Sequence, residues 1–234
     1  MNPDYVVTSY INHFAQRSWA FDSLLAFVST NDLLKGSVLT AVVWGLWFQP
    51  SKDLHIRRER LVATIVACFL ALFLARMLAG VLPFRPRPMS DTTLNFRLPY
   101  GADRRPLEAT SSFPSDHAVL FFTLATGIWF ISRPIGWPIL GYVLVVICLP
   151  RLYLGLHYLS DLLVGGLIGA GLASLANDNR VRTRISAPAL HWLETSPGLF
   201  YACAFLITSQ IANLFDPLRK IASFAFIYAR TLLG

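Results

Sequence analysis

Apolar residues in this chain gather into long blocks separated by short polar connections, with neither strict alternation nor a single apolar helix face. Six blocks stand out: Leu34 to Phe48, Leu61 to Leu82, His117 to Ile131, Trp137 to Leu149, Leu159 to Ala176 and Leu199 to Leu214. A block of about 20 apolar residues is what a helix needs to cross hydrocarbon, and Leu61 to Leu82 meets that need most clearly. The first block is shorter and closes on Trp44, Trp47 and Pro50, an aromatic belt at its exit. Residues 10 to 30 differ, because Trp19, Phe21, Leu24, Leu25 and Phe27 are mixed with Gln16, Arg17, Asp22 and Ser23, the pattern of one interfacial helix. The pattern predicts an all-α, polytopic membrane bundle of about six transmembrane helices. It shows no internal repeat or low-complexity tract, so a single domain is expected over residues 1–234.

Composition agrees with membrane burial. The chain is 55% hydrophobic and only 14% charged, and its net charge of +7 sits in short loops between apolar blocks. That placement marks topology determinants and anionic-lipid contacts more than a nucleic-acid footprint, so no nucleic-acid partner is expected. No obligate protein partner is evident either. Cys68, Cys148 and Cys203 fall inside apolar stretches with no disulfide or zinc spacing. The N-terminal residues, with Asp4 among them, do not read as a cleavable signal peptide.

Lys52, Arg57, Arg58 and Arg60 precede the second block, which places that connection in the cytoplasm. Counting crossings from there leaves Phe84 to Ser115 outside, Arg133 inside, Arg151 to His157 outside, and Arg180, Arg182 and Arg184 inside. Only the last block breaks the pattern, because Arg219, Lys220 and Arg230 follow an outward crossing. Gly165 and Gly169 give a small-xxx-small spacing that permits close helix approach.

Two strings carry the chemistry, and the crossing count brings them to the same face. One is Phe113-Pro114-Ser115-Asp116-His117; the other is Arg151, then His157, then Asp161. A histidine four residues before an aspartate shares its helix face and is open to orientation by it. Ser115 is a favoured N-cap, and the free N–H groups of a helix start suit an anion. Planar guanidinium groups suit a transferring phosphoryl group, which nominates Arg85, Arg87 and Arg151. His157 then reads as a nucleophile oriented by Asp161, and His117 as the group that protonates the leaving oxygen and later activates water.

These strings resemble the type 2 phosphatidic acid phosphatase (PAP2) superfamily, whose membrane members dephosphorylate lipid phosphates and diphosphates. The family pattern has three parts: Lys, six residues, Arg-Pro; then Pro-Ser-Gly-His; then Ser-Arg, five residues, His, three residues, Asp. Arg151, His157 and Asp161 match the third part, Pro114, Ser115 and His117 the second, and Arg85-Pro86-Arg87-Pro88 with Arg76 upstream matches the first loosely. Likeness covers roughly residues 61–176. Asp116 stands where glycine is usual and Pro150 where serine is usual. Pro-Ser-Asp-His is similar to the bacterial undecaprenyl diphosphate phosphatases of that superfamily. The resemblance implies a phosphohistidine intermediate on His157, with no cofactor, and a lipid substrate held at the outer face of a bacterial cytoplasmic membrane.

Other readings stay open at this stage. Arg76 either snorkels to the outer boundary or binds phosphate. Asp116, which a dianionic substrate repels, is expected to turn towards an arginine or His117. Arg104 and Arg105 read as solvated loop charges, and His13, His55 and His191 stand outside any constellation. Zinc or non-haem iron is disfavoured because arginines repel a cation, so no metal ion is expected. The alternatives are a phosphatidylglycerophosphate or phosphatidate phosphatase, a lipid phosphotransferase, and a catalytically silent lipid-binding or translocating protein.

Overall fold

Each apolar block closes on itself as a helix, since a backbone surrounded by apolar groups must satisfy its own N–H and C=O groups. The computed structural model describes residues 2–103, 110–215 and Phe224, so Arg104, Arg105, Arg219, Lys220 and Arg230 lie outside the described residues. Among the described residues nine helices follow in order: α1 (Pro3–Asn12), α2 (Trp19–Thr30), α3 (Leu33–Phe48), α4 (Leu54–Val81), α5 (Asp116–Ile131), α6 (Arg133–Tyr153), α7 (Leu159–Ala176), α8 (Asn179–Thr195) and α9 (Pro197–Ala212). No strand occurs among them. The six expected crossings correspond to α3, α4, α5, α6, α7 and α9. Of these, α4, α6 and α7 are long and apolar enough to span a membrane unaided, while α3, α5 and α9 are shorter apolar helices.

Helix α5 is the axis of the bundle, packed against α4 on one side and α7 on the other. Val119, Leu120, Phe121, Leu124, Ala125 and Ile128 are all buried, so α5 is apolar nearly all round. The seam with α7 is drawn tight by the two glycines singled out by their spacing. A Cβ on Gly165 would stand 2.9 Å from the Ser115 carbonyl oxygen, and one on Gly169 would stand 2.3 Å from that of Val119. No side chain fits there.

The opposite end of the bundle collects the two large basic clusters. Arg182 from α8 pairs with Glu59 from α4 at 3.0 Å, Arg57 donates to the Gln49 carbonyl at 2.7 Å, and Arg60 donates to the Phe130 carbonyl. Arg58 lies over the Trp47 ring at 5.1 Å. The Gln49 and Phe130 carbonyls lie at the C-terminal ends of α3 and α5, where the last carbonyls lack intrahelical partners and draw cations.

Two expectations are corrected. Residues 10–30 form no single helix: α1 and α2 are separate, and Gln16 between them takes a left-handed φ of 64°. Asp22, read from the pattern as part of a polar face, is 0% exposed. Its carboxylate accepts from Gln16 N–H at 2.9 Å, from Tyr100 N–H at 3.0 Å and from the Tyr153 hydroxyl, tying α2 to the loop and to α6. Helix α8 is the second difference; its arginines read as a loop cluster, yet Asp178 caps a helix there by accepting from Arg180 N–H.

Two helices contain a π turn, α3 at Leu33–Ser37 and α6 at Val143–Cys148. The second precedes Pro150, which has no N–H to give the carbonyl four residues back. That carbonyl, on Val146, lies 3.5 Å from Nη1 of Arg151 instead. The proline that replaces the family's serine thus frees an acceptor for the next residue's guanidinium.

Candidate active site

The ends of α4, α5, α6 and α7 opposite the basic clusters surround a cavity of about 830 Å³. Arg76, Arg87, Asp116, His117, Arg151 and His157 all line it, six of the nine residues nominated from sequence. Ser115, Asp161 and Arg85 do not.

His157 sits in the turn between α6 and α7. Its Nδ1 lies 2.7 Å from the Ser112 carbonyl oxygen, which can only accept, so Nδ1 carries the proton and Nε2 presents a lone pair. The sequence spacing predicted Asp161 for this task, but its carboxylate is 3.7 Å from Nδ1, beyond hydrogen-bonding distance. Asp161 is 0% exposed and is used elsewhere: it accepts from Tyr158 N–H at 2.8 Å, closing the first turn of α7, and from Arg85 at 2.6 Å.

Arg85 is therefore corrected from a cavity residue to a scaffold residue. Nη1 reaches Asp161 and Ser160 Oγ, Nη2 donates to Asp4 at 2.7 Å, and the guanidinium lies 4.1 Å from the centre of the Tyr158 ring. Burial alone would lower its pKa, yet the hydrogen bond it donates to Asp4 and the charges of Asp161 and Asp4 raise it. Asp4 also accepts from Ser160 N–H at 2.9 Å and from Ser160 Oγ–H. Burial pushes the Asp4 carboxyl up, but hydrogen bonds from Ser160 and Arg85 hold it below the usual range. Asp91 is held in the same way, against burial, by Thr93, Tyr158 and Tyr5. These contacts bolt α1 onto the start of α7. Sequence reasoning missed them, because the partners of Asp4, Arg85 and Ser160, are far from it along the chain.

Ser115 is likewise corrected. It caps α5, its Oγ accepting from Ala118 N–H at 3.4 Å, while its own N–H donates to the Asp161 carbonyl at 3.3 Å. The residue is fully buried and does not line the cavity.

Arg87, two residues beyond Arg85, lies differently. It rests on neutral partners, the Leu156 carbonyl at 2.8 Å, Thr110 Oγ1 at 3.2 Å and His157 Nε2 at 3.3 Å. Burial lowers its pKa, opposed by the charges of Asp116 and Asp161. Arg151 is only 1% exposed and is held by the carbonyls of Ser29 and Val146 at 3.2 and 3.5 Å. Neither arginine has a carboxylate partner among the described residues. A buried charge without a counter-ion is costly, and both stand where an anion would supply one.

Asp116 turns as expected towards its neighbours. Oδ1 is 3.1 Å from His117 Nδ1, and Oδ2 is 3.5 Å from Arg76 Nη2. His117 and Arg76 are thus joined through one carboxylate. Among the described residues no cluster of three or more His, Cys, Asp or Glu side chains is arranged to hold a metal ion.

The chain is 26% identical over 167 residues to the undecaprenyl-diphosphatase BcrC of Bacillus subtilis (strain 168), covering 71% of this chain and 78% of that protein. It is 30% identical over 152 residues to YbjG of Escherichia coli (strain K12), which is named as a candidate undecaprenyl-diphosphatase, covering 65% and 70%. A bacitracin transport permease protein, BcrC of Bacillus licheniformis, is 38% identical over 63 residues, 26% of this chain and 30% of that one. No solved structure matches. Apolar helices of spanning length and phosphatase relatives make this a membrane protein and a lipid phosphatase. The model of the PAP2 superfamily matches residues 60–183, more than half of the sequence, and the chain belongs to that family.

Proposed function

We propose that the chain is a metal-independent lipid diphosphatase, working as one domain, that hydrolyses undecaprenyl diphosphate at the extracytoplasmic face of a bacterial cytoplasmic membrane. The observation that carries this reading is His157, whose Nδ1 is engaged by the Ser112 carbonyl so that the Nε2 lone pair, 3.3 Å from Arg87 Nη1, is presented at a cavity lined by Arg76, Arg87 and Arg151.

In the first step His157 Nε2 attacks the terminal phosphorus, and the bond from that phosphorus to the bridging oxygen breaks. Arg87 and Arg151 neutralise the equatorial oxygens as the transition state loosens. His117, with Nδ1 towards Asp116 and protonated from solvent as the anionic headgroup binds, gives its Nε2 proton to the bridging oxygen, so undecaprenyl phosphate leaves. In the second step neutral His117 takes a proton from water, which attacks the phosphohistidine; inorganic phosphate departs and both imidazoles are restored. Arg76 keeps Asp116 oriented and adds positive charge beside the leaving group. Asp161 acts through Arg85 and the first turn of α7, keeping His157 in place.

Arginines around the site repel a cation and so support chemistry without a metal. The extracytoplasmic placement rests on the two basic clusters at the opposite end, which the positive-inside rule assigns to the cytoplasm. Relatives named for undecaprenyl diphosphate support the substrate. The test is phosphate release by purified protein in one detergent, at matched surface concentration, from undecaprenyl diphosphate, phosphatidate and phosphatidylglycerophosphate, with EDTA and vanadate arms. Expected are the highest kcat/KM on the diphosphate, indifference to EDTA and inhibition by vanadate. Better turnover of a monophosphate lipid overturns the substrate, and loss in EDTA with rescue by zinc overturns the metal-independent mechanism.

A further inference from the structure

The cavity holds one cation that neither the family motifs nor the mechanism above employs. Lys35 lines it from α3, and its side chain is only 12% exposed, although lysine ordinarily keeps its ammonium in water. Nζ is parked 2.7 Å from Asp32 Oδ1, a carboxylate that is itself 60% exposed.

The backbone beneath Lys35 is fixed with unusual care. It lies in the π turn Leu33–Ser37, and such turns add a residue to a helix and re-aim the side chains around it. On one side the Tyr142 hydroxyl donates to the Leu34 carbonyl at 2.5 Å. Tyr142 is the residue from which the second π turn, the one leading to Arg151, begins. On the other side Gly36 meets the backbone of Ala212 so closely that a Cβ would stand 2.1 Å from its carbonyl oxygen. Asn31 Oδ1 accepts from Leu34 N–H at 3.1 Å. Lysine is thereby presented from a braced mount, tied to Tyr142, the residue just before the π turn that leads towards Arg151.

Charge in the cavity falls into two kinds. Arg87 and Arg151 rest on neutral acceptors beside His157, enough to grip one phosphoryl group. A diphosphate brings a second phosphate with further charge, and it needs a cation not already committed to the reacting one. Lys35 fits that need: its side chain is mostly buried, it lines the same cavity, and its partner among the described residues is an exposed carboxylate that can move to water when an anion takes its place. An ammonium on a flexible stem suits a phosphate that is held without undergoing reaction.

We infer that Lys35 forms a second-phosphate subsite, binding the phosphate that stays on the lipid and so setting preference for diphosphate over monophosphate headgroups. This rests on the reading of the chain as a diphosphatase, yet it is tested apart from the lipid. The measurement is inhibition of turnover of whichever lipid phosphate the wild type hydrolyses best, by methylenediphosphonate and by orthophosphate. Lys35→Gln is expected to weaken methylenediphosphonate roughly 10- to 100-fold, the scale of one lost charge-assisted hydrogen bond, while orthophosphate inhibition stays within about threefold. Lys35→Arg restores most of the loss. Asp32→Asn, at an exposed position that spares the fold, tightens methylenediphosphonate and leaves orthophosphate alone. Equal weakening of both anions by Lys35→Gln, or an unchanged ratio of the two in both Lys35→Gln and Asp32→Asn, overturns the subsite. A wild type that prefers phosphatidate overturns the undecaprenyl reading instead, and the inhibitor ratios still report on Lys35.

Discussion

The two ends of the bundle are both rich in arginine and spend that charge in opposite ways. At the end carrying the basic clusters, Arg57 and Arg60 rest on carbonyls at the ends of α3 and α5, Arg58 on a tryptophan ring, and Arg182 on Glu59. Each guanidinium there closes a helix end or joins two helices. At the cavity end Arg85 is spent wholly on carboxylates, between Asp4 and Asp161, and Arg76 reaches Asp116. Arg87 and Arg151 are held by neutral groups and face open volume. Proximity to a motif therefore does not mark an arginine as a ligand for substrate; what its nitrogens already hold does.

The sharpest way to break the comparison is at the cavity end. His157→Ala is expected to reduce phosphate release to roughly a thousandth or less, because no other group supplies the attacking lone pair, while the protein stays monodisperse in detergent. Retention of more than a few per cent of the rate excludes the phosphohistidine route. Next in size, Arg87→Ala or Arg151→Ala should each raise the barrier by about 2 to 4 kcal/mol, read as a fall in kcat with little change in thermal midpoint. A lowered midpoint with a normal rate per folded molecule would move these residues to the scaffold.

Arg85→Ala tests the other category within the same loop. It leaves the fully buried Asp161 without its counter-ion, and a loss of about 2 to 4 kcal/mol of stability is expected, less than for a wholly buried pair because Arg85 is partly exposed. Activity per folded molecule should fall less than in Arg87→Ala. At the far end, Arg60→Ala should cost only about 1 to 2 kcal/mol of stability and leave kcat untouched, since it removes one charged hydrogen bond to a helix C-terminus. A change in kcat there would mean the two ends are coupled.

The smallest effect is a pH dependence. Asp4 and Asp91 both have folded pKa values below the ordinary 3.8. Their contribution to stability is thus complete above that value and is lost as pH falls through the depressed folded values. Thermal midpoints recorded from pH 6 downward should hold steady and then drop below about pH 4, and Asp4→Asn should flatten part of that drop. An unchanged slope in Asp4→Asn would remove the α1–α7 bolt from the acid response.

Much of this was legible in the sequence, and the reasons for the rest are physical. Apolar blocks gave the six main helices because burial against lipid or a core is a local property of composition. His117, His157, Arg87 and Arg151 came from strings whose chemistry permits few other uses. The choice between Arg85 and Arg87 was beyond reach, since it depends on Asp4, about eighty residues away in sequence and next to Arg85 only in the folded chain. Ser115 was assigned correctly as a cap, but which way a capped hydroxyl faces depends on the helix packed against it. Asp161 misled because i,i+4 spacing brings two side chains to one face without deciding which acceptor is nearer; the Ser112 carbonyl arrives from another segment. Helix α8 was hidden by its polarity, since its partner Glu59 lies in α4.

One consequence follows from the glycine seam between α5 and α7. His117 opens α5 and His157 lies two residues before α7, so their separation is set by a seam in which Gly165 and Gly169 bring the α7 backbone against the Ser115 and Val119 carbonyls. A seam of that kind has no soft coordinate: it cannot slide or widen by a rotamer change, and thermal motion carries both imidazoles together. Entry of a lipid headgroup must then be accommodated by the helices on the far side of the cavity, with the attacking and protonating nitrogens travelling as one rigid jaw.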